Sequence, residues 1–169
     1  MGAQWHPDGR LLLHAAGPEP GRQGLYAVDA SGSGFSPLRK EFSFSSFVAN
    51  AQGTSAVAAK ADGGLVLVPL GEGPARDLPI QLASGERLVQ WSGDGRFLYL
   101  VQFEGVAHIG RIDRVELVGG KRSLWRQLPL DSAEVPWLDG VAISRDGSRL
   151  AYSFEHQPVA DLYFVDGLN

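Results

Sequence analysis

The chain has 169 residues, 44% of them apolar, which suffices for one ordinary domain with its own core, and its net charge of -4 leaves no basic surplus for phosphates or anionic lipid. Nucleic acid is therefore not an expected partner, and with no apolar run near the roughly 20 residues of a membrane helix, no membrane insertion is expected. Cysteine is absent, which excludes disulfides and thiolate metal sites, and the first residues lack the basic and apolar regions of a signal peptide, so the compartment is open with the cytoplasm as default.

The first unit, residues 1–43, opens with Trp5-His6-Pro7-Asp8-Gly9-Arg10, followed by an apolar strand at Leu11 and a second one at Leu25–Asp29. Asp-Gly suits a tight hairpin because both residues tolerate positive φ, so the segments on either side should pair antiparallel. Asp29-Ala-Ser31-Gly-Ser33-Gly34 begins like a calcium loop, but Lys40 stands at the twelfth position where a bidentate Glu is required, so a Gly/Ser turn is expected.

The second unit, residues 44–82, repeats the order with Gln52-Gly53 in place of Asp-Gly and Leu65–Val68 as its later strand. Its Ala-rich window, 46–61, is the best helical candidate in the chain, yet Gly53, Val57 and the repeat register favour strand. The third unit, residues 83–131, has Trp91-Ser92-Gly93-Asp94-Gly95-Arg96, then Phe97–Val101 and Ile112–Leu117, with a further hairpin at Gly119-Gly120. The fourth, residues 132–169, has Ile143-Ser144-Arg145-Asp146-Gly147 and Leu162–Asp166, and stops one strand short.

Asp8, Gln52, Asp94 and Asp146 thus recur at intervals of 44, 42 and 52 residues. A period of that size is the mark of stacked blades. Strands such as Leu65–Val68 and Phe97–Val101 are nearly continuous in apolar residues, where a sheet with one wet face would alternate. Both faces should be covered, with Trp5 and Trp91 at equivalent places between blades. The expectation is an all-β β-propeller of about four blades of antiparallel four-stranded sheets, fifteen strands with the last blade incomplete, forming a single partial or small domain over 1–169. Two Ig-like sandwiches would give a duplication instead of a fourfold period.

The turn motif resembles the TolB-type, WD-like propeller repeat: apolar-x-Ser-Pro-Asp-Gly-Lys/Arg, an apolar strand, then Leu/Ile-Tyr-x-x-Asp. Unit one matches best through His6–Arg10 and Leu25-Tyr26-Ala27-Val28-Asp29, whereas unit two lacks both the Asp and the Tyr. The last stretch, 144–154 and 161–169, is similar to the C-terminal end of propellers appended to bacterial Ser/Thr protein kinases. That resemblance implies a sensor or interaction module, and no kinase signature is present in the chain.

Chemistry is sparse. His6, His14, His108 and His156 are spread through the units with no metal-ligand spacing, and neither a Gly-x-Ser-x-Gly elbow nor a phosphate loop occurs. Asp8, Asp94 and Asp146 recur at equivalent turns, which turn geometry explains better than acid-base catalysis. Lys121-Arg122 with Arg126 follows a Gly-Gly turn and is expected on a solvated hairpin, a docking site for an acidic partner being the minority reading. Trp137 and Phe42-Ser-Phe44 are expected in blade packing. No catalytic, cofactor-binding or metal residue is assigned and no cofactor is expected.

The expected function is a non-catalytic scaffold for protein interaction or ligand sensing, with an unidentified protein or peptide partner. The enzyme-class rival is the propeller of a prolyl-oligopeptidase-like peptidase without its hydrolase domain. Because the last unit lacks a fourth strand, an incomplete ring is expected, either a homodimerising half or a part of a larger propeller.

Overall fold

The computed structural model describes residues 3–16, 23–39, 44–104, 109–129 and 137–155. Within them the chain is all-β. Sheet one comprises β1 (Ala3–Trp5), β2 (Leu11–Ala16), β3 (Gln23–Val28) and β4 (Phe35–Arg39). Sheet two comprises β5 (Ser46–Ala49), β6 (Ser55–Ala59), β7 (Gly64–Pro69) and β8 (Arg76–Gln81), and sheet three β9 (Glu86–Trp91), β10 (Phe97–Glu104), β11 (Ile109–Glu116) and β12 (Arg122–Pro129). Sheet four is described through β13 (Trp137–Ile143) and β14 (Leu150–Glu155). Every sheet is an antiparallel meander whose spatial order follows the chain. The strand expected at Leu162–Asp166 lies outside the described residues.

The repeated turn starts each sheet. Gly9, Gly53, Gly95 and Gly147 all have φ between 68° and 88°, the left-handed region that glycine enters without a Cβ clash. Each donates its N–H to the carbonyl three residues earlier, at 2.8 to 3.0 Å. In the third sheet Ser92 Oγ donates to Asp94 Oδ1 at 2.6 Å and accepts from Phe97 N at 2.9 Å, and Ser144 and Asp146 make the same pair at 2.6 Å in the fourth. Unit two, which lacks the Asp, keeps the turn by another route: Asn50 Oδ1 accepts from Thr54 N at 2.9 Å and Ser55 N at 3.2 Å. The Ala-rich window is two strands, β5 and β6, on either side of this turn.

Pleat alternation sends successive residues of the middle sheets to opposite neighbours. From β6, Ala56 and Ala58 pack toward sheet one while Val57 and Ala59 pack toward sheet three. From β10, Leu98 and Leu100 face sheet two, and Tyr99 and Val101 face sheet four. The core is therefore three seams between four stacked sheets. Leu12, Val57, Leu98, Leu100 and Ile112 are fully buried in them, each contributing roughly 1.5–3 kcal/mol by its removal from water. Phe44 is buried in the first seam, beside His14, which is the packing role expected for it; Phe42 lies outside the described residues.

One expectation fails. Trp91 sits in the seam between sheets two and three, 7% exposed, with its indole N–H donating to Gly95 O at 3.0 Å. Its equivalent Trp5 is 66% exposed. The residue is in the same place in its blade, but among the described residues no sheet lies over it.

Candidate functional site

The first strands of the four sheets, β1, β5, β9 and β13, surround a cavity of about 400 Å³. Its walls are Ala3 and Gln4, Phe47 to Ala49, Leu88 to Trp91, and Val141 with Ala142. The turns contribute Ala51, Gly93 and Arg145, which hold the same position in three successive repeats and so arrive at one end of the cavity. This is the channel at the centre of the blade array.

Two glutamines tie its walls together. The Gln4 carboxamide pairs with the backbone of β5, accepting from Ala49 N at 2.8 Å and donating to Ala49 O at 3.3 Å. Gln90 Oε1 accepts from Ile143 N of β13 at 3.4 Å. The two residues stand before Trp5 and Trp91 in their repeats, and Val48 and Ala142 take that place in the other two. Amide bridges thus join the first strands of sheets one and two and those of sheets three and four.

Arg145 lies across the turn end of the channel. Its Nη2 donates to Ala51 O of sheet two at 3.2 Å, and its chain runs so close to Gly93 that a Cβ there would fall 2.5 Å from Arg145 O and 2.7 Å from Cγ. Gly93 is needed for close approach of the neighbouring turn. Among the described lining residues Arg145 is the sole ionisable side chain; no Asp, Glu, His, Lys, Ser, Thr or Tyr is in that set.

A second concentration of charge lies at the seam of sheets two and three. Arg122 of β12 donates to both carboxylate oxygens of Glu86, to Asp113 Oδ2 at 3.4 Å and to the Gln81 carbonyl of sheet two at 3.2 Å. Arg111 Nε donates to Asp113 Oδ1 at 2.8 Å. Glu86 and Asp113 are both buried, and their hydrogen bonds hold the Arg122 guanidinium pKa above its ordinary value, Glu86 first. Arg122 thus ties two blades together from the solvated basic hairpin expected of Lys121-Arg122; it is exposed, as are Lys121 and Arg126, the latter 5.2 Å from the Trp125 ring centroid.

The residues singled out in the sequence fall elsewhere. Asp8, Asp94 and Asp146 are exposed turn residues whose carboxyl pKa values are all lowered, by the Arg10 side chain for Asp8 and by the Ser92 and Ser144 hydroxyls for the other two. His6 is held in its turn, with Nδ1 2.6 Å from Asp8 Oδ1, and also reaches the second sheet. His14 is buried in β2, its Nε2 has no hydrogen-bond partner, and burial lowers its pKa. Asp29 accepts from Ser31 Oγ at 2.5 Å and Ser33 N at 3.1 Å, closing a turn on itself. Trp137 starts β13, its side chain outside the described set; His108 and His156 lie outside the described residues. Sequence reading missed Gln4, Gln90 and Arg145, although the Gln-Trp dipeptide occurs twice, at 4–5 and 90–91.

No family model matches the chain, and no curated protein does. Among solved structures it is similar to TolB from Acinetobacter baumannii, with a TM-score of 0.63 and 13% identity over 95% of this chain and 38% of that one. It is also similar to a chain of the nidogen/laminin complex, with a TM-score of 0.61 and 11% identity over 90% of this chain and 55% of that one. A third is oligogalacturonate lyase in complex with manganese, with a TM-score of 0.53 and 15% identity over 88% of this chain and 50% of that one. The fold is thus that of a TolB-type β-propeller, and the chain spans 38% to 55% of the length of these structures. The manganese belongs to that lyase; among the described residues here no three His, Cys, Asp or Glu side chains gather in a metal-sized group.

Proposed function

We propose that this chain is a non-catalytic β-propeller module that binds a carboxylate-bearing segment of a peptide or protein at the Arg145 end of its channel. The observation that carries the reading is the composition of the described channel wall: two amides, one guanidinium, one indole, one phenyl ring and otherwise aliphatic or backbone surface. Acyl transfer, glycoside cleavage and proton abstraction each need a nucleophile or a titratable acid or base at the reacting atom. The described lining supplies hydrogen-bonding and apolar contact instead, the usual make-up of a binding site with a few polar groups fixing orientation. A single planar cation at the mouth suits a carboxylate, which it can meet with two parallel N–H bonds.

The test is calorimetric titration with acidic peptides ending in a free carboxylate, beside the same peptides amidated, on the native chain, Arg145→Lys and Arg145→Gln. Saturable binding that favours the free carboxylate, weakens in Arg145→Lys and disappears in Arg145→Gln is the expected result. Equal binding by Arg145→Gln, or turnover of ester or polyuronate probes by the native chain, overturns the reading.

A further inference from the structure

The polar side chains along the described channel wall are unequally engaged. The Gln4 carboxamide is held at both ends, its oxygen by Ala49 N and its nitrogen by Ala49 O, and the Trp91 indole N–H donates to Gly95 O. Gln90, at the same place in its repeat as Gln4, makes half of that pairing. Its Oε1 accepts from Ile143 N at 3.4 Å, while among the described residues its Nε2 has no hydrogen-bond partner and is not buried. Gln90 lines the channel, so this donor is presented to whatever enters it.

What the side chains of this wall still offer is donors. Both carboxamide oxygens already accept a backbone N–H, whereas Gln90 Nε2 and the Arg145 N–H groups other than the one on Ala51 O are without a protein partner among the described residues. A donor stripped of water without gaining an acceptor costs binding, so the ligand that fits here brings an acceptor to each. Their spacing narrows the choice. Gln90 is bonded to Ile143, two residues before Arg145, which is about 7 Å along an extended chain. Carbonyls on one side of an extended peptide are also two residues, about 7 Å, apart.

We propose, resting on the reading that Arg145 takes a carboxylate, that Gln90 sets which carboxylate is accepted: its Nε2 donates to the peptide carbonyl two residues before the ligand's C-terminal carboxylate. The ligand is then the free C-terminal end of an extended peptide, and not an aliphatic carboxylate, which has no carbonyl there. Val48 and Ala142, at the equivalent place in the second and fourth repeats, have no side-chain donor, and that of Gln4 is engaged. One donor at one place fixes one register of the bound chain.

Calorimetric titration tests it with an acidic peptide ending in a free carboxylate and the same peptide carrying a thioamide at the third residue from that end, whose sulfur is a poorer acceptor than oxygen. The native chain should bind the oxygen form about three- to tenfold more tightly, as expected for one hydrogen bond, and Gln90→Met should bind the two forms alike. In the native chain the Gln90 side-chain amide resonances should also shift when the oxygen form is added, a readout that needs no substitution. Equal binding of the two forms by the native chain, a preference that survives in Gln90→Met, or unmoved Gln90 resonances overturns the proposal, and in each case tighter binding of the free carboxylate than of its amide leaves the Arg145 reading standing. Loss of that carboxylate preference overturns both.

Discussion

The imidazole of His6 lies against the turn of the next blade, its Nε2 2.8 Å from the carbonyl oxygen of Gly53. A Cβ at position 53 would run into that ring, whereas a Cβ at the equivalent Gly95 would meet nothing within 4 Å. Both glycines have positive φ, 68° and 74°. Gly95→Ala should therefore lose only the backbone term, about 1–2 kcal/mol. Gly53→Ala should lose that and the His6 contact, about 1 kcal/mol more. Urea unfolding of the two variants checks the difference, and in a His6→Ala background the two losses should converge.

The serine hydroxyls of the turns should govern the acid limb of stability. Asp146 is held down at about 2 by the Ser144 hydroxyl, the Ser148 N–H and the Ser148 hydroxyl. Its folded value lies below the unfolded value of about 3.9, so its contribution is present above that value and is lost as pH falls through about 2. Ser144→Ala should move the carboxyl upward toward about 3.9, read by carbon-detected nuclear magnetic resonance titration. An unchanged value would mean that Ser148 alone holds it. Asp94, lowered chiefly by Ser92, should respond to Ser92→Ala in the same direction.

Arg122 should matter to the seam out of proportion to its place in a surface hairpin. Arg122→Leu leaves Glu86 buried without its cation and Asp113 with Arg111 alone. Breaking a buried ion pair from one side costs roughly 3–5 kcal/mol. With the Arg122 side chain itself a third exposed, a loss of roughly 2–4 kcal/mol is expected after solvent screening. Denaturant unfolding measures it, and adding Glu86→Leu should return part of the loss by removing the orphaned charge. Lys121→Leu, on the exposed neighbour, should change stability by less than about 0.5 kcal/mol.

Much of the architecture was legible because it rests on local chemistry. An Asp-Gly turn needs only its own residues, and near-continuous apolar strands declare that both faces of a sheet are covered. The second unit was harder to read, since its turn is held by Asn50, two positions before the missing Asp, and the side chain that replaces a carboxylate there is not its substitute in the alignment. The channel was illegible for a different reason. Gln4 and Ala49 meet across 45 residues, and Arg145 and Ala51 across 94, so no spacing along the chain announces them. The ties of Arg122 were illegible likewise, because Glu86 lies 36 residues back on β9 and Asp113 nine residues back on β11. Trp5 was placed correctly in its blade, but a repeat describes positions and is silent on which faces are covered.

The pleat of β6 has a consequence for how such a sequence can drift. Ala56 and Ala58 serve one seam while Val57 and Ala59 serve the other, so the strand has no outer side on which change is free. A larger residue at any of the four pushes against a neighbouring blade, and a compensating reduction must arise in a different repeat. Latitude is left to the turns and to the first strands along the channel, where neighbouring repeats already hold glutamine, valine and alanine in the same place. Divergence in this architecture is thereby directed to the surfaces that would meet a ligand.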